Sequence, residues 1–274
     1  MAGPITRTAA AAGASAVAAA GLLTAQALQA RRRIGRRTTT APYADGRYGT
    51  GSGTSIRLAV LGDSGAAGLG AQHPQDTMGA ILATALSEVA GRTVTLSNHA
   101  VIGAQTADLD AQVDRALWTR PHVAVIMVGA NDVTHLVPHA LSARRLRRAV
   151  RRLRESGTEV VTATCPDLGT VKPVPQPLRT VMRRGSRRLA LAQAVATRAE
   201  GARPVPLGDI LGPEFDERPE VMFAEDRFHP STEGYTAAAQ VLLPEVIAAW
   251  RRGGEGEILP AVVEERVTAP TPPD

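Results

Sequence analysis

Apolar residues along this chain are grouped in two alternating ways. Short runs of Val, Ile, Leu and Ala occupy residues 56–61, 93–96, 123–128, 160–163 and 203–205. Between and after them lie longer stretches, 77–90, 106–117, 141–155, 178–199 and 232–250, whose composition and spacing are helical. A strand covered by helices on both faces reads as a near-continuous apolar run, because neither side of its pleat meets water. The alternation predicts an α/β fold, a three-layer α/β/α sandwich around a mostly parallel five-stranded sheet. Pro244 falls inside the last helical stretch, where its ring and missing N–H predict a kink or an early end.

Outside residues 55–252, taken as the globular domain, this patterning is lost. Residues 38–54 are polar and glycine-rich, contain Pro42, and read as a linker. Residues 253–274 carry Pro260, Pro270, Pro272, Pro273 and several acids, and read as a disordered tail. Residues 1–37 form a hydrophobic segment with a basic flank: residues 8–30 carry no charge, and five arginines follow between 31 and 37. An uncharged stretch of that length reaches across a bilayer, although alanine contributes little transfer energy and Gln26 and Gln29 weaken the case. A membrane anchor is the first reading. A signal peptide cleaved near Ala25-Gln26-Ala27 and a soluble or peripheral helix are the alternatives. The expected location is therefore at a membrane through residues 8–30, with the side open and secreted or cytoplasmic placement as alternatives.

The 274 residues suffice for one sizeable core, and at 3% aromatics that core must be built from Ala, Val, Leu and Ile. Net charge is +5 and almost wholly arginine, Lys172 being the only lysine. The clusters at 31–37 and 144–154 contain no aromatic to stack on bases, so no nucleic-acid partner is expected. In residues 141–155, Leu146, Val150 and Leu153 make an apolar stripe and seven arginines fill the rest. That pattern fits a surface helix with a solvated basic face, or one drawn to anionic lipid or envelope polymer. Cys165, the only cysteine, excludes an internal disulfide and reads as a small buried residue at a strand end. The six histidines lack metal-site spacing, so no metal is expected.

In a parallel sheet the segments that follow the strands gather at one edge, where ligands bind. Three polar stretches follow expected strands: Gly62-Asp63-Ser64, the loop containing Gly103, and Gly129-Ala130-Asn131-Asp132. A fourth, Asp226-Arg227-Phe228-His229, precedes the last helix, with Pro230 holding His229 outside it and Ser231 as a cap. Together they supply a hydroxyl, a glycine amide, a carboxamide and an Asp/His pair, the parts needed for acyl transfer by serine. Each alone has a plain structural reading: a βα-loop cap, a turn, a flexible loop, a helix-entry loop. Glycine spacing after Ser64 does not give a dinucleotide fingerprint. His99 and His135 lie near the same edge without a comparable acid partner, as candidates for substrate contact.

These four blocks, in this order, resemble those of the SGNH hydrolases, also called the GDSL lipase/esterase superfamily, over most of residues 55–250. Gly65 stands where the family name puts Leu, a departure that bears on the pocket wall. The resemblance implies a flavodoxin-like SGNH fold and an acyl-ester hydrolase without metal or organic cofactor. It implies Ser64 as nucleophile, His229 as base and Asp226 as its orienting acid. The oxyanion hole would be formed by the amides of Ser64 and Gly103 and the side chain of Asn131. Small-molecule, lipid and glycan acyl esters are all open as substrates, as is the oligomeric state. Two further readings are a non-catalytic envelope-binding protein retaining the fold, and an acyltransferase using the same residues.

Overall fold

The computed structural model describes residues 18, 21–30, 32 and 40–255. Six strands form one sheet: β1 (Gly46–Tyr48), β2 (Ile56–Gly62), β3 (Val94–Asn98), β4 (Val123–Met127), β5 (Glu159–Ala163) and β6 (Arg203–Val205), in the order β1-β3-β2-β4-β5-β6. All pairings are parallel except β1 on β3. Val60 of β2 lies beside Asn98 of β3 and Val125 of β4. The five expected strands are all present. The sixth, β1, falls in the stretch read as linker. It has no apolar periodicity to announce it, and is held by backbone pairing with β3, by Asn98 N donating to Asp45 Oδ1 at 2.8 Å and by the Tyr48 hydroxyl donating to Ala44 O.

Successive residues of β2 feed opposite layers. Ile56, Leu58 and Val60 pack with α2 (Met78–Ala90) and α9 (Thr232–Trp250), whereas Ala59 and Leu61 pack with α3 (Leu109–Trp118) and α5 (His139–Glu155). Helix α6 (Leu178–Arg198) completes the second layer beside α5. Thr77 caps α2 by accepting from Ala80 N at 3.3 Å, and Gly91 ends it in a left-handed conformation. Helix α9 runs unbroken through Pro244, so the expected shortening does not occur. The carbonyl that loses its donor belongs to Gln240, on the exposed side, where water can take the donor's place.

Leu146, Val150 and Leu153 of α5 are buried, as their stripe predicts. Its basic face is not simply solvated. Arg147 and Arg151 pair with Glu200, Arg148 and Arg152 with Asp110, Arg152 also with Asp114, and Arg154 with Glu159. These arginines spend their charge on neighbouring elements, which leaves less for a lipid or polymer surface.

Residues 21–30 are helical and lie against the domain. Gln26 and Ala30 are buried, and Leu23 and Ala27 half-buried, a stripe of helical spacing. Gln26 donates to Gln176 O at 2.5 Å and accepts from Leu178 N at 3.0 Å, while Ala30 packs with Val171, Val174 and Phe223. Among the described residues no helix is long and apolar enough to cross a membrane. Most of residues 8–20, part of the segment read as an anchor, and residues 256–274 of the expected tail lie outside the described residues.

The chain passes from β2 to β3 on one side and returns to β4 on the other. The carboxyl ends of these three strands therefore open a crevice at a topological switch point.

Candidate active site

Strand β2 ends on Gly62 with φ 141°, and a Cβ there would sit 1.8 Å from Met127 O, so only glycine fits. The buried side chain of Gln112, from α3, clamps this residue twice: Gly62 N donates to Gln112 Oε1 at 2.7 Å and Gln112 Nε2 donates to Gly62 O at 2.9 Å. Asp63 follows as the cap of the short helix α1 (Ser64–Ala67), accepting from Gly65 N at 3.1 Å and from the Gly129 amide. Ser64 thus opens a helix held at both ends, by Asp63 and by Gly68 in a left-handed conformation. Burial pushes the Asp63 carboxyl up to about 6, against the lowering effect of those two amides and of His229. The structure gives Asp63 the task of tying the Ser64 turn to the loop after β4.

His229 sits in a tight loop closed by Ala224 N donating to His229 O at 2.8 Å and Arg227 N donating to Ala224 O at 2.8 Å. Arg227 takes a left-handed φ of 57° at its tip. Asp226 Oδ1 accepts from the amides of Phe228 and His229 at 2.9 and 3.0 Å, and Asp226 Oδ2 lies 2.6 Å from His229 Nδ1. Burial raises the Asp226 pKa, but the hydrogen bonds from the His229 ring and the two amides outweigh it, and the net position is below the ordinary value. An ionised carboxylate can only accept, so Nδ1 carries a proton, and in the neutral ring Nε2 is then the acceptor. Nε2 lies 2.9 Å from Ser64 Oγ. Ser231 caps α9 as the sequence predicts, accepting from Gly234 N at 3.1 Å.

Asn131 and Gly103 come from the loops after β4 and β3. Gly129, with φ 138°, turns the chain into α4 (Ala130–Thr134), and Asn131 Nδ2 donates to Ala104 O at 2.9 Å. Gly103 has φ 82° in a turn closed by Ala104 N donating to Val101 O at 3.0 Å, and Val101 N in turn donates to Gly62 O at 3.1 Å. The two loops are thereby joined to each other through Ala104 and to the Ser64 turn through Gly62 and Asp63. Asp132 strengthens the joint. It is fully buried and accepts from Thr106 N at 3.0 Å, from Thr106 Oγ1 at 2.6 Å and from Ser142 Oγ.

Two cavities border this cluster. One, of 120 Å³, reaches Ser64 and His229 and is walled by Leu168, Val171, Leu211, Phe215 and Phe223. The other is a groove of 750 Å³ that reaches Asn131, and Phe228 lies between the two as a shared wall. At Gly65 a Cβ would fall 2.9 Å from Met127 Cε, so the Met127 methyl fills the space that the glycine leaves open. His135 lines the groove, with Nδ1 2.8 Å from Asn131 O, whereas His99 lines neither cavity. Cys165 is buried at the end of β5, and burial pushes its thiol pKa well up. Among the described residues no group of three or more His, Cys, Asp or Glu is placed to hold a metal ion.

Sequence reasoning did not single out Gln112, Met127, Thr106 or Gln193. Gln193 is buried, accepting from Cys165 N at 2.7 Å and donating to Val128 O at 2.8 Å, which fixes the ends of β4 and β5. The available signal was a glutamine on the apolar face of a helix, a position where an amide must bond backbone to be tolerated.

The sheet edge of this α/β/α sandwich thus brings Ser64, His229 and Asp226 together. The chain belongs to the GDSL-like lipase/acylhydrolase family, whose profile matches residues 60–237. It is a carboxylic ester hydrolase of that type. It is 42% identical over 233 residues, 81% of this chain and 74% of the relative, to the GDSL-like esterase Rv1075c of Mycobacterium tuberculosis. Among solved structures it shares the fold of the acetylxylan esterase Axe2 from Geobacillus stearothermophilus, with a TM-score of 0.54 at 20% identity, covering 72% of this chain and 96% of that one. TesA gives a TM-score of 0.55 at 21% identity, covering 70% of this chain and 99% of its own.

Proposed function

We propose that the protein hydrolyses esters of short acyl chains through Ser64, His229 and Asp226 by way of an acyl-enzyme. The observation that carries this reading is the unbroken chain from Ser64 Oγ to His229 Nε2 at 2.9 Å and from His229 Nδ1 to Asp226 Oδ2 at 2.6 Å. His229 Nε2 takes the hydroxyl proton as Ser64 Oγ attacks the ester carbonyl, and Asp226 stabilises the imidazolium. The oxyanion is met by the amides of Ser64 and Gly103 and by the Asn131 carboxamide. His229 returns the proton to the departing alcohol, then activates the water that releases the acid.

The alcohol must leave and water must enter by the same side, so the smaller, more apolar cavity suits the group that stays, the acyl chain. A cavity of about 150 Å³ holds a benzene ring. The 120 Å³ apolar cavity therefore favours acyl chains of roughly four to six carbons. A panel of 4-nitrophenyl esters of graded chain length, with fluorophosphonate labelling of the parent and of Ser64→Ala, tests this. Expected are labelling of the parent only, a kcat loss of about 10⁴ to 10⁶ in Ser64→Ala with the fold retained, and a kcat/KM maximum near butyrate or hexanoate. Equal labelling of the two proteins overturns the nucleophile assignment, and a maximum at long chains overturns the acyl pocket.

A further inference from the structure

Arginines on α6 fall into two rows. Arg183 and Arg187 turn to one side and share the buried carboxylate of Asp167. Arg184 and Arg188, one residue further along in each case, line the groove that reaches Asn131. Both are exposed, and among the described residues neither forms an ion pair. Among the described residues no Asp or Glu lines the groove. Its far wall is supplied by Ala27 and Ala30 of the N-terminal helix, which the Gln26 hydrogen bonds hold in place. That helix lies outside the part of the chain that the family profile matches, residues 60–237. A groove of 750 Å³ open to the oxyanion side chain, with two uncompensated guanidiniums on one wall, is complementary to an anion carried by the substrate.

We infer that the N-terminal helix and α6 form the binding groove for the alcohol portion of the ester, and that this portion carries a carboxylate or phosphate met by Arg184 and Arg188. The inference rests on the hydrolase reading above and names its substrate class. The geometry divides the ester at the scissile carbonyl: the acyl chain enters the small apolar cavity, Phe228 separates the two sides, and the alcohol lies along the groove from Asn131 toward the arginines. The small side chains of Ala27 and Ala30 keep the groove wide.

The test uses the full chain and three butyrate esters of nearly one shape: 4-(butanoyloxy)benzamide, 4-(butanoyloxy)benzoate and 4-(butanoyloxy)phenyl phosphate. 4-Nitrophenyl acetate serves as an activated ester whose alcohol carries no net charge. The parent is expected to prefer at least one anionic ester over the benzamide by about fivefold to tenfold in kcat/KM, carried by KM, the size expected of one or two partly exposed charge contacts. Arg184→Gln with Arg188→Gln brings that ratio to about one, and Arg184→Glu with Arg188→Glu inverts it. Ala27→Trp, which narrows the groove from the helix side, raises KM for the preferred anionic ester by about tenfold. A preference for either anion supports the inference, and the larger of the two identifies the group. Turnover of 4-nitrophenyl acetate without any anion preference, or the same preference in the double glutamine variant, overturns it and leaves the hydrolase reading standing. An Ala27→Trp protein with parental KM removes the N-terminal helix from the groove. No turnover of any of the four esters overturns the hydrolase reading, and this inference with it.

Discussion

Asn131 spends one amide hydrogen on Ala104 O, which aims the carboxamide, and in the proposed reaction the second hydrogen meets the oxyanion. Its removal is expected to lower kcat by about 10² to 10³ with little change in KM, because the contact strengthens only as charge develops. Steady-state kinetics of Asn131→Ala on 4-nitrophenyl butyrate measure this, and a loss below about threefold removes Asn131 from the role. Asp63 and Asp226 predict opposite pH effects on stability. The Asp63 carboxyl moves from an ordinary 3.8 up to about 6 in the folded protein, so the unfolded chain gives up its proton first, and stability falls as pH rises between those values. Two units correspond to about 3 kcal/mol. In Asp63→Asn, chemical denaturation at pH 4 to 7 is expected to lose this downward slope. For Asp226 the folded value is depressed, so its contribution is present above the ordinary carboxylate range and lost as pH falls through the lower, folded value. At this scale the sequence was legible through combination: a serine after a strand or a histidine held out of a helix by Pro230 has a plain structural reading alone, and only the four blocks in order at one sheet edge point to chemistry. Gln112 was legible only as a glutamine on the apolar face of its helix, which says that it must bond backbone but not that the backbone is Gly62.

Helix α3 places Gln112 directly on Gly62, which makes Gln112 the test of how the second layer positions the Ser64 turn. Gln112→Leu leaves the Gly62 amide without its partner in the interior and takes one of two donors from its carbonyl. A buried group left unpaired costs about 1 to 3 kcal/mol. The expected result is a Tm lower by several degrees and a kcat reduced more than KM is raised, read by calorimetry and steady-state kinetics. A variant with parental Tm and kcat contradicts the clamp. Elements were legible in proportion to their burial. Strands β2, β4 and β5 announce themselves because both faces are apolar, whereas β1 has exposed residues and is held by its pairing and by the side chains of Asp45 and Tyr48. The helices α7 (Leu207–Glu217), whose residues wall the cavity at Ser64, and α8 (Pro219–Met222) were missed for a different reason. Gly208, Gly212 and Pro213 read as breakers, yet a Cβ at Gly208 would lie 2.9 Å from Asp167 N. The glycine there serves close packing of α7 on the loop after β5 rather than a turn.

Considered as a whole, the molecule has a helix at its N-terminal side that either belongs to the domain or only passes near it. Its stripe of Leu23, Gln26, Ala27 and Ala30 faces the domain, and its one buried polar group is fully bonded there, to Gln176 and Leu178 at the start of α6. Such a face is matched to protein rather than to hydrocarbon, where a glutamine amide would need partners that lipid does not offer. If the docking is held by this side chain, Gln26→Ala should free the helix without loosening the sheet. Two hydrogen bonds at about 1 kcal/mol each correspond to a change of about tenfold or more in the local opening equilibrium. Hydrogen–deuterium exchange on the full chain is the measurement. Amides of residues 21–30 are expected to exchange about tenfold faster in the variant, while those of β2, β4 and β5, which open only with the whole domain, keep their protection. The same variant should raise KM for the preferred anionic ester, because the groove loses its far wall. Residues 21–30 that already exchange at the rate of a free peptide in the parent would separate the helix from the domain, and with it from the site.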